Sequence, residues 1–104
     1  MRKVIDGKVY DTETAEEICN VSGNISDRGK FNYDETRLYR TRKGQFFISG
    51  HGGPRSRWAV STGQGSWSGG DGLRLVDESD ARSMVEHHGR PALYAEVFGE
   101  PEEG

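Results

Sequence analysis

Two dipeptides constrain this chain more than anything else in it. Asp6-Gly7 and Lys43-Gly44 each stand between short runs of β-forming residues. A glycine-containing pair in that setting reads as the turn of a β-hairpin, because such turns need positive φ, which glycine adopts without steric cost. At Asp6-Gly7 a two-residue loop pairs Val4 with Val9 and Ile5 with Lys8. At Lys43-Gly44 the flanking stretch "TRLYRTRKGQFFIS" supplies Leu38, Tyr39, Phe46, Phe47 and Ile48. A two-residue loop there sets Tyr39 opposite Ile48 and Arg40 opposite Phe47. A three-residue loop with a glycine bulge would shift the pairing by one and flip the faces; the two-residue loop is the expectation.

Between the hairpins, "TETAEEICN" reads as a helix. Thr14 and Glu17 form a capping box, and Ala15, Ile18 and Cys19 share a face. Residues 20–35 hold turn formers without periodicity and are expected to be mostly loop. After the second hairpin, Gly50, Gly52 and Gly53 end a strand and Pro54 suits the first position of a helix. "PRSRWAV" is therefore expected to make about two helical turns, with Trp58 packed inward. "STGQGSWSGGDG" reads as a glycine-serine loop carrying Trp67, and "LRLV" as a short strand. Asp77 caps a helix over "ESDARSMVEHH" with Ala81, Met84, Val85 and His88 on one face, His88 partly buried and His87 exposed. Gly89 ends that helix, and Pro91 starts a last one that turns Leu93, Tyr94, Val97 and Phe98 inward.

Two hairpins followed by helices make an α+β fold: a small, largely antiparallel sheet with helices packed on one face. The expected order is two strands, a helix, two strands, a short helix, a strand and two helices. One domain covers residues 1–99, and residues 100–104 form an acidic, frayed tail. The apolar fraction of 32% and the 15 glycines imply a small core with many tight turns, while the ten aromatic residues argue against disorder.

Most catalytic chemistry finds no support. Cys19 is alone, so neither an internal disulfide nor a cysteine-based zinc site can form, and it reads as a small buried thiol. "GQGSWSG" lacks the glycine spacing and the strand–helix frame of a dinucleotide-binding loop. "GSWSG" misplaces its serines for a nucleophile elbow, and no lysine follows a glycine cluster as a phosphate loop requires. His87 and His88 diverge by about 100° on a helix and cannot grip one metal. No metal and no cofactor is expected. His51, flanked by glycines ahead of an expected helix N-terminus, is a candidate general base or anion ligand. The structural alternative is that these glycines only make a sharp turn. No run is apolar enough to cross a membrane and "MRKVIDGKVY" is no signal peptide, so a cytoplasmic protein is expected.

Charge is distributed unevenly. Residues 1–27 sum to −3, residues 28–57 to +6 and residues 58–104 to −6, so the overall −3 hides a strongly polar chain. Arg37, Arg40, Arg42, Lys43, Arg55 and Arg57 lie on the second hairpin or just after it, interleaved with Tyr39, Phe47 and Trp58. Arginine among aromatics is the composition of a binding surface for nucleic acid or protein. The structural alternative is a hairpin whose charges pair with acidic segments of its own fold. Arg37, Arg40, Arg42, Lys43, Phe47, His51, Arg55 and Arg57 are the candidate binding residues.

The chain also resembles a family of small uncharacterised bacterial proteins carried on phages and other mobile elements. The resemblance rests on the opening "IDGKVYDTETAEEI", the central "LYRTRKGQFFISGHGGPRSRWA", the later "SWSGGDGLRLVDESDARSMVEHH" and the short acidic tail. In size, charge polarity and setting such proteins are similar to anti-CRISPR proteins, which act by binding an effector complex. The resemblance implies no established activity and carries over no catalytic residues; by analogy of setting, the leading expectation is a non-enzymatic inhibitor that binds a host protein or ribonucleoprotein complex. Two other readings stand beside it: a small nucleic-acid-binding module that uses the basic hairpin, and an enzyme centred on His51.

Overall fold

Alternation along one strand organises the molecule. In the computed structural model, which describes residues 1–22, 33–100 and 104, β5 (Phe46–Gly52) runs through the middle of a four-stranded antiparallel sheet. Its neighbours are β4 (Asp34–Arg40) on one side and β8 (Gly70–Val76) on the other, and β3 (Glu16–Asn20) pairs outside β4. Successive side chains of a strand point to opposite faces. Phe46 and Ile48 therefore enter one core with Ile18, Val21, Leu38 and Trp58, and α1 (Glu78–His88) and α2 (Pro91–Phe98) cover that face. Phe47 points the other way, into a smaller core with Tyr10 and Leu73. That face is sealed by a separate hairpin, β1 (Arg2–Ile5) and β2 (Lys8–Asp11), whose Tyr10 meets Phe47 edge-on at 5.8 Å. The result is α+β, with every strand pair antiparallel and both helices on one face of the main sheet.

The first hairpin has the expected register, Val4 with Val9 and Ile5 with Lys8, and its turn holds Asp6 and Gly7 at positive φ (51° and 77°). The second hairpin does not. Leu38 faces Ile48, Tyr39 faces Phe47 and Arg40 faces Phe46, one step from the two-residue-loop register. The loop is the longer, bulged alternative. Thr41 N–H donates to the Gln45 carbonyl at 2.8 Å, Gln45 N–H donates back to Thr41 Oγ1, and Gly44 takes φ +86°. The shift stacks Tyr39 on Phe47 at 5.1 Å and puts both on the smaller core's face.

Three further expectations are corrected. Residues 16–20 are strand β3, not helix. Ala15 packs toward the smaller core and Ile18 into the larger, so residues three apart face opposite ways as strand geometry requires. The backbone before it is turned by Asp11, whose carbonyl accepts from Thr14 and Ala15 N–H and whose carboxylate accepts from Glu13 N–H. Thr14 therefore caps nothing. Residues 54–59 are turns, not a helix: Ser56 N–H and Oγ both donate to the Gly53 carbonyl, and Ser56 Oγ accepts from Trp58 N–H. That side-chain capture competes with helical bonding. The glycine-serine stretch is not a loop but a second small hairpin, β6 (Val60–Gly63) with β7 (Ser66–Ser68), followed by the start of β8.

At the C-terminal end, Asp77 caps α1 by accepting from Asp80 N–H at 2.8 Å, Gly89 ends it, and Pro91 opens α2. His87 and His88 are both exposed; position 88 is the last residue of α1, beyond the Ala81–Val85 contact that reaches the sheet. Partial desolvation, then His87 and Arg57, hold the His88 imidazolium's pKa below its ordinary value. Most of the expected 20–35 loop, residues 23–32, lies outside the described residues, as do 101–103 of the tail; Asn20 and residues 34–35 belong to strands. Among the described residues no helix is long and apolar enough to cross a membrane.

Candidate binding site at the hairpin turns

The central basic segment does not form one face. Arg37 Nη1 donates to Glu17 Oε1 at 2.9 Å, and Arg40 Nη2 donates to Glu16 Oε1 at 3.0 Å while its Nη1 reaches the Val97 carbonyl. Both carboxylates stand on β3, Glu16 directly across from Arg40 and Glu17 across from Tyr39, diagonal to Arg37. Arg57 is held from inside the fold. Its Nε donates to Asp34 Oδ2 at 2.8 Å and its Nη2 to the Val21 carbonyl at 3.1 Å. Asp34 is buried and also accepts from Thr36 Oγ1, which in turn accepts from the Trp58 indole N–H at 2.8 Å. Arg57 is therefore part of the fold's buried polar network. Phe47 is completely buried, so it touches no partner.

Trp58 explains a glycine. It lies flat against β8, where a Cβ on Gly72 would come within 3.0 Å of two of its ring carbons, and Arg74 stacks on its outer side at 4.9 Å. A side chain at residue 72 would force the indole to shift.

The remaining candidates sit at opposite ends of the sheet. Arg55 is exposed on the turns after β5, and His51 lies near that same end. Arg42 and Lys43 are in the Thr41–Gln45 loop before β5, about 20 Å away at the rise of an extended strand. Next to that loop comes the turn of the β1–β2 hairpin. The two turns enclose an open cleft of about 550 Å³, lined by Lys8, Tyr10, Asp11, Arg42, Lys43 and Gln45 among others. A second hollow of about 650 Å³ flanks the same loop on the side of Glu16 and Arg40. Lys8, Arg42 and Lys43 join none of the ion pairs among the described residues. Three exposed cations around one concavity can hold a phosphate or a carboxylate. Lys8 was not among the sequence candidates; the only hint was its place beside a hairpin turn.

His51 has a well-defined but different environment. Its Nε2 lies 2.8 Å from Glu35 Oε2, the Tyr33 hydroxyl donates to the same oxygen at 3.1 Å, and Nδ1 is 3.5 Å from that hydroxyl. His51 and Glu35 border a shallow hollow of about 300 Å³ with Arg37 and Ser49. A carboxylate-held imidazole can accept a proton, yet Ser49 gives its own proton to the Gly72 carbonyl and is not aimed at the ring. The helix N-terminus that would have favoured an anion here does not exist, because residues 54–59 are turns. Among the described residues no three metal-ligating side chains converge. Burial, and secondarily Glu17, push the Cys19 thiol's pKa up, which disfavours the nucleophilic thiolate. Desolvation likewise raises the Tyr39 phenol. Comparison with family models, with curated proteins and with solved structures gives no match to this chain.

Proposed function

We propose that this chain is a non-enzymatic binding protein that blocks a cytoplasmic host defence ribonucleoprotein, with the cleft between its hairpin turns as the contact for phosphate. One observation carries the reading. Arg37, Arg40 and Arg57 are neutralised by the protein's own acceptors, whereas Lys8, Arg42 and Lys43 line an open cleft and join no ion pair among the described residues. Cations held ready in this way favour a phosphate-bearing partner, and inhibition by occupancy requires no nucleophile. The resemblance to mobile-element proteins supplies the class of complex, such as a CRISPR effector.

The test is capture of the host complex by the 104-residue chain and by a variant combining Arg42→Glu with Lys43→Glu. The variant should fold normally by circular dichroism and lose capture, because exposed charges contribute little to stability. Engaging three single-strand phosphates gives a salt slope near −2, so wild-type affinity should fall about 20-fold between 50 and 200 mM salt. Nuclease treatment separates the alternatives. If capture is lost with the nucleic acid and purified RNA binds as tightly, the protein is a simple nucleic-acid-binding module. A folded variant that captures like wild type removes the cleft from the mechanism.

A further inference from the structure

The four-stranded sheet has two unlike edges. β3 is short, is broken by a register shift between Glu17 and Cys19, and presents two carboxylates. Shortness, a bulge and charge are the means by which proteins blunt an edge against further pairing. β8 is longer and has no bulge, and its only charged residues are Asp71 and Arg74. It keeps an unbroken register with β5 over seven residues, from Phe46 opposite Val76 to Gly52 opposite Gly70, and contains no proline or lysine. Every second residue of such a strand turns its N–H and C=O away from its neighbour. Among the described residues no backbone group from outside the sheet bonds to Gly70–Val76, and Leu75 is 42% exposed beside that edge.

We propose that β8 is a dimerisation edge, at which two copies of this chain pair β8 to β8 in antiparallel fashion and extend the sheet to eight strands. The strand is suited to its own copy. A two-fold axis perpendicular to the sheet keeps each face on its own side, and centred on Leu73 it sets Asp71 opposite Leu75 of the second copy, Gly72 opposite Arg74 and Gly70 opposite Val76. No like charges meet. Centring on Arg74 would oppose two arginines, and centring on Gly72 would leave Leu75 and Val76 unpaired. Because β3 is blunted, pairing stops at two copies and produces a closed dimer rather than a fibre.

Sedimentation equilibrium on the 104-residue chain tests this, with an expected mass of about 23 kDa, twice the 11.6 kDa of one copy. Leu75→Asp places a carboxylate opposite Asp71 of the second copy and should return the mass to that of one chain. Adding Asp71→Lys to Leu75→Asp puts opposite charges in register and should restore the dimer. Amide exchange supplies a second measurement that needs no variant: the outward N–H groups of β8 should gain protection as wild-type concentration rises. A wild-type chain that stays monomeric at high micromolar concentration, with concentration-independent exchange in β8, overturns the proposal. So does a dimer that ignores Leu75→Asp, or one that Asp71→Lys fails to restore. A monomer that pairs this edge only with a host strand overturns it as well.

Discussion

Replacing Arg57 by alanine should damage the fold far more than replacing any other arginine of the central segment. Arg57 makes a charged hydrogen bond to Asp34 at 2.8 Å and a second bond to the Val21 carbonyl at 3.1 Å. The Asp34 side chain is only 8% exposed, so its carboxylate would lose the Arg57 guanidinium in a place water scarcely reaches. Removing one partner of a fully buried pair costs about 3–5 kcal/mol. The Arg57 side chain is itself 29% exposed, which admits some water and places the loss at the lower end, about 3 kcal/mol. With an unfolding entropy of about 2.1 cal/mol/K per residue, a chain of 104 residues loses about 14 °C in Tm for that energy. Differential scanning calorimetry on Arg57→Ala, with Arg42→Ala as the exposed control, makes the comparison. Asp34→Asn added to Arg57→Ala should recover part of the loss by removing a buried charge that has lost the Arg57 guanidinium. If Arg57→Ala melted within a degree or two of Arg42→Ala, the ion pair would not stabilise the fold, and Arg57 would return to the list of residues available to a partner.

Two further outcomes follow from local geometry. Gly44→Val forces a β-branched residue to φ +86° in the bulged loop and should lower stability by about 1–3 kcal/mol in thermal unfolding; an unchanged Tm would refute the bulged turn. Cys19, with its pKa raised by burial, should react with iodoacetamide near neutral pH much more slowly in the native protein than in urea; equal rates would mean the thiol is not shielded.

What the sequence shows and what it hides divide along distance in the chain. The Asp6-Gly7 turn, the Asp77 cap and the Gly89–Pro91 break are each decided within a few residues, and all three stand where their local chemistry puts them. Residues 16–20 have helix-compatible spacing, but their glutamates face Arg37 and Arg40, which lie 20 and 24 residues further on, and those contacts belong to a strand. The second hairpin's register turned on whether Thr41 would join the loop by bonding Gln45, a choice that "KG" alone does not make. The basic segment was legible as charge but not as a site. Which of its members remain unneutralised depends on Glu16, Glu17 and Asp34, and the cleft itself needs Lys8 from another hairpin.

The β1–β2 hairpin shares no ladder with the main sheet and is held to it through the side-chain contacts of Tyr10 and its neighbours. It is therefore the natural first unit to detach, with a local opening energy below that of the sheet, and its detachment bares Phe47 to water. One wall of the cleft travels with it, because Lys8 is on the hairpin and Arg42 and Lys43 are on the body. An anion that bridges the two turns binds only the docked form, so occupancy raises the cost of opening by mass action. Filling the cleft and closing the smaller core are then one equilibrium, and hydrogen exchange in residues 2–11 reads the occupancy of a site whose cations are mostly elsewhere.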